Sequence, residues 1–193
     1  RQMCIRDRNK DDKFHRSYNE KNWRILPRQA VHDSSSVTYP VFTAIAAPEV
    51  QNKLNGDFAI IAGPYLQNLA TGGCELDYTL TFVSEKFISM VFFGVLDEGE
   101  KEIFAKIPLN IDVQTGAQLA LGDVLNLRDA DLLPVLRLLT KKDKVDFSKG
   151  ITESWYYNGT NFVFCQRSET GEWLEATVAA SDLKKFLLKP ELF

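Results

Sequence analysis

The 193 residues are 45% hydrophobic and 25% charged, which is enough apolar content for a sizeable core and too ordinary a charge fraction for a disordered chain. The formal net charge of −3 hides an asymmetry: residues 1–30 carry nine Lys/Arg against four Asp/Glu, whereas residues 31–193 carry fourteen against twenty-two. An acidic body of this kind excludes a broad phosphate-binding surface, so nucleic acid is not an expected ligand, and it suits a basic partner.

No apolar run is long enough to cross a bilayer as a helix, and the first thirty residues lack the apolar segment of a signal peptide. The chain does not begin with Met, and its opening RQMCIRDR resembles translated adapter sequence, so residues 1–8 are set aside from fold reasoning. The expectation is a fragment, with room for a membrane anchor upstream. Residues 9–36 are polar and basic without a period, and residues 1–36 are expected to form an irregular arm or linker. Residues 37–190 are expected to form one domain.

Residues 37–44 (VTYPVFTA) are β-branched and aromatic; Pro40 withdraws one ladder donor and points to an edge or a bulge. Pro48 opens a helical stretch in which Val50, Leu54, Phe58 and Ile61 make one apolar face, and Gly63-Pro64 predicts a break near Ala62. Gly72-Gly73 closes it. In residues 76–83, Leu76, Tyr78, Leu80 and Phe82 alternate with polar residues, the signature of a strand with one buried face. Residues 87–95 are continuously apolar and read as the central strand. A turn at residues 97–99 leads into a strand over residues 103–113, where Pro108 again favours an edge or a bulge, and residues 114–116 close a second turn.

Gly122-Asp123 caps a short turn. Residues 130–139 predict a helix with Leu132, Leu133, Leu136 and Leu139 inward, and the lysines of residues 141–144 suit its C-terminal end. Residues 154–157, Asn158-Gly159 and residues 161–165 predict a hairpin with a type I′ turn, because Asn-Gly accepts two positive φ values. Residues 173–180 make a last strand, and Ser181 is expected to cap a short helix over residues 182–188. The resulting fold class is α+β: an antiparallel meander sheet packed with helices in a single domain.

The residues give no assembled catalytic site, and no cofactor or metal is expected. His15 and His32 lie in the irregular arm, away from Cys, Ser or carboxylate partners. The run Ser34-Ser35-Ser36 lacks the strand–turn–helix setting of a nucleophile elbow. Asp97, Glu98, Asp112 and Asp123 have no spacing that brings two of them together, and hydrogen bonds to backbone donors account for Asp112 and Asp123. Asn158-Gly159-Thr160 fits the glycosylation acceptor pattern, but the hairpin turn is sufficient reason for it. Cys74 and Cys165 either pair, in an exported protein, or pack separately. Glu98, Glu100 and Glu102 at a hairpin tip, with Trp155, Tyr157 and Trp173, are the candidate partner-binding residues; solvated turns and cross-strand packing are their plain alternatives.

The segment PLNIDVQTGAQLALGDVL (108–125), following the hairpin of residues 77–94, resembles the ectodomain of RsiV-type anti-sigma factors, which also stands N-terminal in PdaC-type peptidoglycan deacetylases. The residues that carry the resemblance are Leu109, Asn110, Asp112, Thr115, Gly116, Leu119, Leu121 and Asp123. The hairpin WYYNGTNFVFC and the closing ATVAASDLKKFL are similar to later parts of that family, and Asn52 or Asn55 to its first half. The loop over residues 166–171 departs from the family pattern. The resemblance implies a non-catalytic, extracytoplasmic domain of a bacterial envelope protein that binds or senses a ligand such as lysozyme or a cell-wall component. The alternative it carries is an accessory domain of a peptidoglycan or polysaccharide deacetylase whose catalytic domain lies outside this chain.

Overall fold

A computed structural model describes residues 17–19, 22–97 and 102–193. Glu98 and Glu100, expected at a hairpin tip, lie outside the described residues, as do Cys4 and His15. Seven strands form one mostly antiparallel sheet in sequence order: β1 (Tyr18–Asn19), β2 (Arg24–His32), β3 (Ser35–Thr43), β4 (Cys74–Val83), β5 (Phe87–Asp97), β6 (Glu102–Asp112) and β7 (Ala117–Gln118). The exception is β3 beside β4, which is parallel, with Ser36 opposite Glu75 and Val37 opposite Leu76. Helix α1 (Pro48–Asn68) joins those two strands, since parallel neighbours need a crossover rather than a hairpin. A second sheet has the order β10-β9-β8, from β8 (Trp155–Tyr157), β9 (Asn161–Arg167) and β10 (Trp173–Ala179). The fold class is therefore the expected α+β, in one domain that comprises two compact units.

The first unit takes in the described residues among 1–80, 91–107 and 114–116. Its core is a run of aromatic rings: Tyr18 on Trp23, Trp23 on Phe42, Phe42 on Phe58, Phe58 on Phe92 and Phe92 on Tyr78, with centroids 4.8 to 6.0 Å apart. Trp23 and Phe42 are stacked, as are Phe42 and Phe58. Such pairs add about 0.5–1.5 kcal/mol each beyond the area they bury.

Three expectations change in this unit. The irregular arm is, over residues 24–32, strand β2, paired along its whole length with β3 through a two-residue turn in which Asp33 takes φ 51°. Its polar exposed residues hid the pattern, because only Ile25 on that strand is fully buried. Next, β3 is not at the edge, but its Pro40 is accommodated. Phe42 N–H donates to Asn55 Oδ1 (2.7 Å) and Asn55 Nδ2 donates to Phe42 O (3.0 Å), so Phe42 turns its polar groups away from β2. Pro40 shares that parity, and its missing donor falls on the side where the ladder to β4 spans two pairs only. Finally, α1 runs through Gly63-Pro64 to Asn68 without ending at Ala62. Pro64 and Ile60 are both on the solvent side, where water can serve the carbonyl that Pro64 leaves without a donor. The buried face is Val50, Leu54, Phe58, Ala62 and Tyr65, so Ala62 takes the place expected for Ile61. Gly72 and Gly73 end this region with φ of 84° and 74°, as the sequence suggests.

The second unit takes in residues 81–90, 108–113 and 117–193. Helix α2 (Leu121–Val124) is a single turn, and α3 (Leu132–Leu139) buries Leu132 and Leu136. The helix begins two residues later than expected, and Leu139 is exposed. Leu121, Val124, Leu132, Trp155, Phe162 and Phe186 belong to one apolar cluster. The hairpin of β8 and β9 is where Asn158-Gly159 places it, but the turn is not type I′. Asn158 has no positive φ; its Oδ1 accepts from Thr160 N (3.2 Å) and Asn161 N (2.9 Å), and Gly159 alone takes φ 96°. The side chain thus closes an Asx turn within four residues between Tyr157 and Phe162. The last helix is a 3-10 turn, Ala180–Phe186, with no side-chain cap, so Ser181 does not have its expected role. Cys74 and Cys165 are buried free thiols.

Candidate functional site

The second unit has an open cleft of about 420 Å³, a volume within the usual range for ligand sites. Strand β6 brings in Pro108, Leu109 and Asn110. The chain then turns and returns through β7, which pairs Gln118 with Ile111, so that Gln118, Leu119 and Ala120 form a second wall. Leu119 N–H donates to Asn110 O (2.7 Å) and ties the two walls together. Glu153 and Trp155, ahead of and in β8, complete the lining.

Beneath the cleft is a buried polar clip. Asn110 Nδ2 donates to Trp155 O (2.7 Å), Ser89 Oγ donates to Asn110 Oδ1 (2.7 Å), and Tyr157 N–H donates to Ser89 Oγ (2.8 Å). Two side chains thereby serve the backbone of β8 on the side that β9 does not use, in place of a strand ladder. Asn110 and Ser89 are 4% and 0% exposed, and each hydrogen bond answers a group that burial would otherwise leave unsatisfied.

Several motif residues turn out to build this corner. Leu109 and Leu119 line the cleft, Asn110 makes the clip, and Leu121 is fully buried. Asp123 Oδ2 accepts from Ala120 N–H (2.8 Å), the backbone role expected of it. Asp112 ends β6 opposite Ala117, and Thr115 is exposed in the turn. Gly116, in the first unit, takes φ 67°, and a Cβ there would press on Val50 at 3.2 Å, so glycine meets both demands.

Of the candidate partner-binding residues, Glu102, Trp155, Tyr157 and Trp173 are among those described. Glu102 is exposed at the start of β6. Trp155 and Tyr157 are 2% and 4% exposed and belong to the core, with Trp155 stacked on Phe162 at 5.4 Å and Tyr157 edge-on to Phe82 at 5.0 Å. Neither presents a ring to a partner. Trp173 is half-buried opposite Arg167 at the start of β10. Sequence reasoning missed Ser89, Gln118 and Glu153. Ser89 had a signal: it is the one polar residue within FISMVFFG, and a buried hydroxyl there requires partners.

Among its lining residues the cleft holds no nucleophile–base pair. Its one ionisable side chain is Glu153, which is exposed and makes no hydrogen bond or ion pair among the described residues. Among the described residues no three His, Cys, Asp or Glu are grouped to hold a metal ion. His32 sits on the β2–β3 turn, 3.5 Å from Asp33, with both side chains exposed. The groups with displaced pKa values lie elsewhere. Burial pushes Tyr65, Cys74 and Tyr157 up; Glu75 pushes Cys74 the same way, against its hydrogen bond with Ser35. A thiol raised in this way is a poor nucleophile.

No family model and no curated protein matches the chain. Solved structures do share its fold. A DUF3298 family member from Bacteroides fragilis superposes with a TM-score of 0.60 at 12% identity, over 90% of this chain and 95% of that one. A DUF3298 family protein from Pseudomonas aeruginosa superposes with a TM-score of 0.56 at 12% identity, over 90% and 97%. The chain thus has the fold of DUF3298 proteins, an uncharacterised domain family.

Proposed function

We propose that this chain is a non-catalytic binding module displayed outside the cytoplasmic membrane of a bacterium, as the sensing part of an envelope protein. The observation that supports it best is the open cleft, whose walls come from the segment that resembles RsiV-type ectodomains and whose lining has a free carboxylate but no nucleophile–base pair. The acidic balance of residues 31–193 points to a cationic protein ligand, and the resemblance makes lysozyme the first one to test. The test is calorimetric titration of the chain with lysozyme at low and near-physiological salt. Saturable one-to-one binding that survives the higher salt supports the reading. Heat that vanishes with salt, or no heat, removes lysozyme as the ligand, because only screened surface attraction behaves so.

A further inference from the structure

We propose that the cleft receives a lysine or arginine side chain projecting from a basic protein. This deepens the binding-module reading and rests on it. Exposure divides the lining into a buried apolar floor and an exposed polar rim. Leu109 and Leu119, at 8% and 7% exposure, make the floor, Pro108 is half-buried and Ala120 is exposed. On the rim, Glu153 and Gln118 are exposed, and neither side chain makes a hydrogen bond among the described residues.

Lysine and arginine match this division, because each carries an aliphatic stem that prefers apolar contact and a cationic head that prefers a carboxylate. The Glu153 carboxylate accepts from the ammonium or guanidinium, and the Gln118 carbonyl oxygen provides a second acceptor. A saccharide fits less well. Sugar rings favour an exposed aromatic face, and the one aromatic residue in the lining, Trp155, is 2% exposed with its ring stacked on Phe162. An anionic ligand would meet an unneutralised carboxylate. The clip below the cleft keeps these walls in place, since Asn110 is bonded to both Ser89 and the Trp155 carbonyl.

The experiment is an amide NMR titration of the full chain with three probes at millimolar concentration: acetyl-Gly-Arg-Gly-amide, acetyl-Gly-Gln-Gly-amide and chitotriose. The expected result is a saturating shift of the Leu109, Leu119, Ala120 and Glu153 amides with the arginine peptide alone. Glu153→Gln, an exposed substitution whose dispersed spectrum will verify its fold, should weaken that binding about three- to tenfold. Equal shifts with the glutamine peptide, shifts with chitotriose instead, no shift at the cleft, or an unchanged affinity in Glu153→Gln would each overturn the proposal. Lysozyme titrated against both chains separates the two readings: binding that Glu153→Gln leaves unchanged keeps the module and rejects the cleft as its seat.

Discussion

Truncating Asn110 to Ala removes the centre of the buried clip and should be among the most destabilising single changes in the second unit. The Trp155 carbonyl loses its donor at 2.7 Å, and the Ser89 hydroxyl loses the acceptor it reaches at 2.7 Å while still accepting from Tyr157 N–H. Each orphaned buried group costs about 1–3 kcal/mol, so the pair amounts to about 3 kcal/mol when partial relaxation is allowed. For a chain of this size that corresponds to a fall in Tm of about 6–12 °C. Ser89→Ala should cost about 2 kcal/mol by the same reasoning, leaving Asn110 Oδ1 and Tyr157 N–H unserved. Because both substitutions break one shared bond, the double variant should lose less than the sum, with a coupling of about 1 kcal/mol. Urea unfolding and thermal melts, both followed by circular dichroism, measure all four chains. Additive losses, or an Asn110→Ala chain within about 2 °C of the parent, would refute the idea that these side chains stand in for a strand ladder.

Gly94→Ala should destabilise the first unit by about 1–3 kcal/mol in thermal melts, since a Cβ there overlaps the Tyr65 ring that lies across Gly94. Asn55→Ala removes both bonds to Phe42 and should accelerate hydrogen exchange at the Phe42 amide far more than at Ile25; equal acceleration at both would show global rather than local loss. Tyr65 and Tyr157 are held above the ordinary value of 10.0 by burial, so the unfolded chain ionises first as pH rises. Their contribution to stability is therefore complete below pH 10 and is lost as pH climbs through the folded values. Ultraviolet phenolate titration should show these two tyrosines ionising above the ordinary value of 10.0; reversible ionisation of both at pH 10 would contradict their burial.

What was legible in the residues was whatever repeats over a few positions. The buried positions Leu76, Tyr78 and Leu80, the apolar run from Phe87 and the Gly72-Gly73 stop each reflect local sterics or one buried face, and each holds in the structure, although Asp77 on the face expected to be wet is buried as well. Where a local rule failed, a distant group had supplied what the rule said was missing. Pro40 is tolerated because a ladder ends beside it and Asn55 serves its neighbour, and Pro64 because its turn faces solvent. Strand β2 escaped notice because a strand with little buried surface shows no period, and only pairing with β3 defines it.

The sequence alone determined the α+β class and the positions of most strands, because propensity and periodicity act between near neighbours. Only the tertiary structure decided the site. Asn110 reaches a residue 45 positions away and Ser89 one 68 positions away, and the cleft draws Gln118 and Glu153 into one lining. A hydrogen bond depends on where the folded backbone puts its two ends, and no spacing along the chain encodes that.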